Sequence, residues 1–313
     1  MSTLLISHAC FVGHDTGPGH PERPDRMRAI TAALERKEFS FLRREEAPLR
    51  DDVEDVIALA HPAAYVAALK DARPQRGQSV HIDPDTVMSP GSWEAALRAV
   101  GAGLRAVDVV LDTTSGVRNA FAQVRPPGHH AEANRAMGFC LFNNIAIAAM
   151  YARAKHGAER VAVIDFDVHH GNGTQDIFWS DKGLFYASTH QMPLYPGTGA
   201  VGEQGVGNIC NAPLRPGDGG QPFRAAFEAR ILPALHHFAP DLVLISAGFD
   251  AHEADPLANL RLTEPDFAWA TEALMKVAEQ HARGRVVSML EGGYDLNALA
   301  RSVAVHVTTL MGA

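Results

Sequence analysis

Apolar runs and amphipathic stretches alternate along most of this chain. Leu4-Leu5-Ile6-Ser7 predicts a short first strand. Met27, Ile30 and Leu34 recur at helical spacing and predict a helix from Asp25 to about Lys37. Val53 to Ala60 and Pro62 to Ala72 read as two further helices, with Pro62 suited to a first turn. Gln75 to Pro90 reads as a polar loop, and Trp93 to Val110 as a long helix that Gly101 and Gly103 weaken. Beyond it a strand–loop–helix unit repeats. Strands are predicted at Ala120–Val124, from Val161, at Leu184–Thr189, Leu242–Ala247 and Val286–Leu290. Helices are predicted at Asn144–Lys155, Thr174–Trp179, Phe223–Phe238 with Pro233 as a kink, Glu264–Ala282 and Leu296–Leu310. The stretch from Thr189 to about Asp218 reads as a glycine-rich loop. This alternation predicts an α/β fold: one domain over 1–313, with a central, mostly parallel sheet flanked by helices. No linker, internal repeat or low-complexity segment divides it.

The strand from Val161 ends in Asp165-Phe166-Asp167-Val168-His169-His170 and breaks at Gly171 and Gly173. If it stays extended, period two puts Asp165, Asp167 and His169 on one face. Carboxylate and imidazole together suit a divalent metal such as zinc. The competing reading is a strand end with incidental polar residues. Four other strand ends carry chemistry too: Arg125-Pro-Pro-Gly-His129-His130, Ser188-Thr189-His190, Gly248-Phe249-Asp250 and Glu291-Gly-Gly-Tyr294. In a parallel sheet the carboxyl ends share one edge, so these segments should converge. Asp167, His169 and Asp250 then supply three ligands with open positions, the pattern of a catalytic site. His129 and His130 suit acid–base work near neutral pH, with Asp165 orienting one of them. Tyr294 is placed to donate to an oxyanion.

Composition adds exclusions. Over 313 residues, 46% are apolar and 20% charged, which is ordinary for a soluble globule. A net charge of -8 argues against nonspecific nucleic-acid binding. Cys10, Cys140 and Cys210 are far apart and form no CxxC, which suits a reducing compartment, read here as cytoplasmic. No secretory signal or membrane-length apolar run is evident. His61, His156, His236, His237, His281 and His306 read as structural or solvent-facing, and Cys140 as core.

Six runs together resemble the zinc-dependent histone deacetylase family, especially its class II branch and the bacterial deacetylase-like amidohydrolases. They are Arg125-Pro-Pro-Gly-His-His-Ala-Glu, Met137-Gly-Phe-Cys-Leu-Phe-Asn-Asn, Asp165-Phe-Asp-Val-His-His-Gly-Asn-Gly-Thr-Gln, Tyr195-Pro-Gly-Thr-Gly, Ala247-Gly-Phe-Asp-Ala-His and Leu290-Glu-Gly-Gly-Tyr. His20-Pro-Glu-Arg-Pro-Asp-Arg is a looser match. The resemblance implies an arginase/deacetylase-like fold and removal of acetyl or other acyl groups from lysine side chains. It implies one zinc per chain on Asp167, His169 and Asp250. His130 would be the general base, His129 its neighbour paired with Asp165, Asn172 the partner of His130, and Tyr294 the oxyanion donor. Class I members carry Asp where Asn172 stands. Gly138 would accept the substrate N–H, while Phe139 and Tyr195, the latter in place of a common phenylalanine, would wall the tunnel. Leu257 would lie at its mouth, where polyamine-selective relatives carry Glu; Glu253 and Asp255 in the same loop are the opposing cue. Asp83 or Asp85 would hold the substrate backbone. Potassium is also implied, near Asp165, Asp167, His169, Ser188 and Thr189. The partner would be an acetylated lysine peptide or protein, or a small acetylated amine, with neither nucleic acid nor membrane; an oligomer stays open.

Three other functions compete. A two-manganese ureohydrolase needs further bridging carboxylates, yet His170 and Gly171 follow His169, and Ala251 and His252 follow Asp250. An acetylpolyamine amidohydrolase would share the chemistry. A non-catalytic acetyl-lysine binder would be expected to lack Tyr294 or a ligand, and both are present.

Overall fold

The middle of the sheet is built from Val161–Asp165, Leu242–Ala247 and Val286–Leu290, whose sequences are apolar almost without interruption. In a computed structural model, residues 2–312 are described; Met1 and Ala313, the ends of the expected domain, lie outside the described residues. In chain order the elements are β1 (Ser2–Ser7), α1 (Asp25–Leu34), β2 (Arg43–Glu46), α2 (Val53–Ile57), α3 (Ala63–Asp71), β3 (Val80–His81), β4 (Val87–Met88) and α4 (Ser92–Leu111). Next come β5 (Val117–Ala122), α5 (Asn144–His156), β6 (Val161–Asp165), α6 (Asn172–Phe178), β7 (Leu184–Gln191) and β8 (Ile209–Leu214). The chain closes with α7 (Gly220–Ala226), α8 (Leu232–Phe238), β9 (Leu242–Ala247), α9 (Glu264–His281), β10 (Val286–Leu290) and α10 (Leu296–Leu310). Eight strands form one sheet in the order β2-β1-β5-β10-β9-β6-β7-β8, and every pair in it is parallel. Helices cover both faces, so β6, β9 and β10 are buried at every position. That is why they read as continuous apolar runs rather than alternating ones. No helix of the described residues is long and apolar enough to cross a membrane.

One strand has no counterpart in the sequence reading, and three local expectations are corrected. Arg43-Arg44-Glu45-Glu46 is an edge strand that pairs with β1; its charges suit an edge and conceal it from any apolar pattern. Ile209–Leu214, expected as loop, is the opposite edge, and Pro213 is tolerated there. The expected polar loop 75–90 holds the small antiparallel pair β3–β4. The expected helix Phe223–Phe238 is interrupted by a π-turn at Phe227–Ile231, just ahead of Pro233 in the first turn of α8. Gly101 and Gly103 do not break α4, because they admit close neighbours. A Cβ at Gly101 would overlap the Pro48 carbonyl, and one at Gly103 would lie 2.9 Å from Met289 Cε.

Two histidines set aside as structural are packed neutral. His61 Nδ1 meets the Ala133 carbonyl at 2.9 Å, and its Nε2 accepts the Asn143 N–H. His306 lies between Thr271 Oγ1 (2.7 Å) and Ser288 Oγ (2.8 Å). Burial lowers His61 to about 4 and His306 to about 3. In the unfolded chain both protonate near the ordinary value of about 6.5. Their contribution is therefore full above that value and is lost as pH falls from it towards 3–4, at about 1.4 kcal/mol per unit for each. The urea midpoint should drop between pH 7 and pH 5, and less steeply in His306→Gln; an unchanged slope in that variant would show that His306 is not held neutral.

Candidate active site

Five neighbouring strands, β5-β10-β9-β6-β7, present their carboxyl ends along one edge of the sheet. Strand β6 stops at Asp165, so Asp167 and His169 lie in the loop behind it rather than on one pleated face. Chained turns bring them round instead. Asp165 Oδ1 accepts the Asp167 N–H at 3.1 Å, and Asp167 Oδ1 accepts the His169 N–H at 2.9 Å. Ser188, Thr189 and His190, by contrast, lie inside β7, which runs on to Gln191.

Asp250, from the loop after β9, closes on this turn. Its Oδ1 accepts the Val168 N–H at 2.8 Å, and His169 Nδ1 lies 3.1 Å from Asp250 Oδ2 and 3.2 Å from Asp167 Oδ1. Asp167, His169 and Asp250 each offer a ligand atom, all within 4.8 Å of one another and all buried. Two glycines make this approach possible. A side chain at Gly248 would overlap the Asp167 carboxylate, and one at Gly292 would overlap that of Asp250. The Gly292 N–H also donates to Asp167 Oδ2 at 2.8 Å. Burial, then the Asp167 charge, push Asp250 up to about 7. Burial opposes a charged His169, but its bonds to Asp167 and Asp250 outweigh that and raise it to about 10. Two buried carboxylates and an imidazole converging on one point, with repulsion between the carboxylates, fit a divalent cation. Among the described residues no other group of three or more potential ligands assembles in this way.

The two adjacent histidines stand beside the triad with rings 4.1 Å apart, and they are held oppositely. His129 Nδ1 meets Asp165 Oδ2 at 2.9 Å. Burial disfavours its charge, yet Asp165, Asp167 and Glu291 hold it well above the usual value. His130 Nδ1 meets Asn172 Oδ1 at 2.8 Å, and burial plus the positive His129 push His130 well below. The Tyr186 hydroxyl donates to Asp165 Oδ2 at 3.1 Å and accepts the Gly171 N–H at 2.9 Å. Glu291 fixes the loop that carries the histidines, since its Oε2 accepts the Gly128 and His129 N–H groups at 2.7 and 3.1 Å.

Tyr294 is held by residues to which the motif reading gave another role or none. Asp255 Oδ2 accepts its N–H at 2.7 Å, while Asp255 Oδ1 accepts that of Leu257 at 3.1 Å. Asp255 is buried and committed to the backbone, which removes it as the proposed attraction for a substrate cation. Arg26 lies 5.1 Å from the Tyr294 ring centre and donates to the Gly293 and Glu291 carbonyls at 2.7 and 2.5 Å. Glu22 in turn pairs Arg26 with Arg125, all three fully buried. The side chains of Arg23 and Asp25 in the same run stay partly exposed, so nothing in the sequence separates the buried Glu22 and Arg26 from them. Burial, then the Asp250 charge, keep the Tyr294 phenol well above its ordinary value, so it holds its proton.

Phe139 stands at φ 70° after Gly138 at φ 57°. A Cβ at Gly138 would overlap the His130 ring, so glycine is required there. Left-handed backbone at a phenylalanine is strained, and it turns this ring towards His20 (4.8 Å) and Tyr294 (5.9 Å). Tyr195, partly exposed, sets its ring 5.2 Å from His130, edge to face. Cys140 is buried, donates to the Gly138 carbonyl at 3.3 Å, and is core as expected. Asp83 Oδ1 accepts the Asp85 and Thr86 N–H groups, and Asp85 Oδ1 accepts the Thr86 hydroxyl at 3.1 Å, so both carboxylates are engaged locally. Leu257 is half-buried. Ser188 Oγ meets His190 Nδ1, whereas Thr189 Oγ1 is buried without a partner among the described residues.

Three potential ligands, paired histidines and a buried tyrosine thus converge on the carboxyl edge of a parallel sheet. The chain belongs to the histone deacetylase family, matching its histone deacetylase domain over residues 20–310. It is 41% identical over 325 residues to the rice protein named histone deacetylase 10, chloroplastic, covering 99% of this chain and 73% of that one. It is 40% identical over 332 residues to the human polyamine deacetylase HDAC10, covering 100% of this chain and 48% of that one. A solved structure, the HD domain of HDA15, superposes with a TM-score of 0.92 at 36% identity, over 99% of this chain and 88% of that one.

Proposed function

We propose that this protein is a zinc-dependent amidohydrolase that removes acetyl groups from lysine side chains. The observation that carries it is the three-ligand cluster of Asp167, His169 and Asp250 beside a His130 whose Nδ1 is occupied by Asn172. Zinc held there would polarise the amide carbonyl and make water acidic enough to attack near neutral pH. His130, kept neutral, takes the proton of the attacking water on Nε2 and returns it to the departing amine. His129, held positive against Asp165, stabilises negative charge nearby. Tyr294 donates its hydroxyl hydrogen to the developing oxyanion. Gly138 accepts the substrate N–H, Phe139 and Tyr195 flank the methylenes, and Asp83 or Asp85 holds the substrate backbone. Potassium near Asp165, Asp167, His169, Ser188 and Thr189 belongs to the same reading, and the unpartnered Thr189 hydroxyl supports it. Three free cysteines support a reducing, cytoplasmic setting.

The second reading is a polyamine deacetylase, favoured by the likeness to the human enzyme of that name. Leu257 weighs against it, because a leucine at the mouth offers no charge to a distal ammonium, and Asp255 is committed to backbone N–H groups. Side-by-side assays decide between them. Acetyl-lysine peptides should show a higher kcat/KM than N8-acetylspermidine. Leu257→Glu should shift that ratio towards the polyamine roughly tenfold, the factor that about 1.4 kcal/mol supplies. A parent enzyme that prefers acetylspermidine would replace the lysine reading with the polyamine one.

A further inference from the structure

We infer that Glu132 is a positioning residue that selects the working tautomer of His130 by orienting the Asn172 amide. The inference rests on His130 being the general base. An Asn at this place poses a problem that an Asp does not, because its two ends differ. With Oδ1 facing His130, Nδ1 keeps a proton and Nε2 is free to accept one. With the NH2 end facing it, Nδ1 must accept, the proton moves to Nε2, and the base is lost.

Glu132 resolves this choice. Asn172 Nδ2 donates to Glu132 Oε1 at 2.8 Å, and Oδ1 then faces His130 Nδ1 at 2.8 Å. A carboxylate only accepts, so it can meet the NH2 end and not the carbonyl end. The Met137 sulfur, 3.4 Å from the same nitrogen, is a weak acceptor that adds to the preference. Glu132 is not a loose surface chain. Its backbone closes a tight turn with Arg135, by bonds of 3.0 and 3.4 Å, and Asp176 of α6 anchors that turn through the Ala133 N–H at 3.1 Å. Among the described residues the Glu132 carboxylate has no cationic partner within ion-pair distance; its side-chain bond is to Asn172.

The prediction is a reversal of sign. Glu132→Ala should lower kcat about tenfold with KM little changed, the lower end of what losing an orienting partner costs. Glu132→Gln, whose carbonyl can still accept, should recover most of it. Asn172→Asp removes the ambiguity but sets two carboxylates against each other. In that background Glu132→Ala should raise kcat rather than lower it. Nitrogen NMR of labelled histidine gives a readout that does not depend on turnover. The parent should show His130 protonated on Nδ1, and Glu132→Ala should shift it towards the Nε2–H form. Equal losses of kcat in both backgrounds, or an unchanged tautomer in Glu132→Ala, would overturn the inference. A parent with no deacetylase activity would instead defeat the proposed function, while the tautomer measurement would still judge Glu132.

Discussion

Asp250→Asn should lose tightly held zinc and turnover together while the fold survives. Of the three proposed ligands Asp250 alone comes from the loop after β9, so without it Asp167 and His169 would be a two-point site on one turn. Two ligands do not hold zinc against dilution. Turnover should fall well past the roughly 10–100-fold that losing a ligand's hydrogen-bond partner costs. The amide is the more informative replacement. Its oxygen can still accept the Val168 N–H that Asp250 Oδ1 now holds, whereas alanine would strand that donor. It also relieves the repulsion that, after burial, pushes Asp250 up to about 7 in the metal-free protein. The metal-free variant should therefore melt no lower than the metal-free parent. Asp250→Ala should show the same catalytic loss with a lower melting temperature. Retention of zinc and turnover by either variant would remove Asp250 from the ligand set.

Tyr294→Phe should lower kcat by about 10²–10³ and leave KM nearly unchanged, as expected for one donor used only in the transition state. The ring is fixed by contacts that the change spares. Asp255 holds its backbone N–H, Arg26 packs over its face, and Phe139 meets it edge to face. The hydroxyl alone is removed, so zinc content and melting temperature should stay at parent values. The phenol is held far above its ordinary pKa by burial and by Asp250, so it acts as a donor throughout the neutral range. A phenylalanine variant with parental kcat would take Tyr294 out of the reaction.

The strands that build the site were legible because burial on both faces writes itself as a continuous apolar run, as in Val161–Ile164 of β6 and Leu242–Ile245 of β9. The edge strands were not. Arg43–Glu46 is a strand because β1 lies beside it, and Ile209–Leu214 because β7 does, so the cause is far away in sequence. The site showed the same division. Asp167, His169 and Asp250 were visible as chemistry at strand ends, but the way Asp165 and Asp167 bend the loop by accepting N–H groups two residues on was not. Asp255, Arg26 and Glu132 each support a site residue through one or two bonds across long stretches of chain. A lone acid in a polar loop has no period to betray it, and only the folded contacts separate Asp255, tied to Tyr294, from its exposed neighbour Glu253.

Metal content measured together with acetate release tests the central claim most directly. Purified protein should carry one zinc per chain and release acetate from an acetyl-lysine peptide in step with the free amine. Chelation should abolish the release, and zinc should restore it. Two manganese ions per chain with activity only in manganese, or no acetate from any acetylated amine at full zinc occupancy, would contradict it.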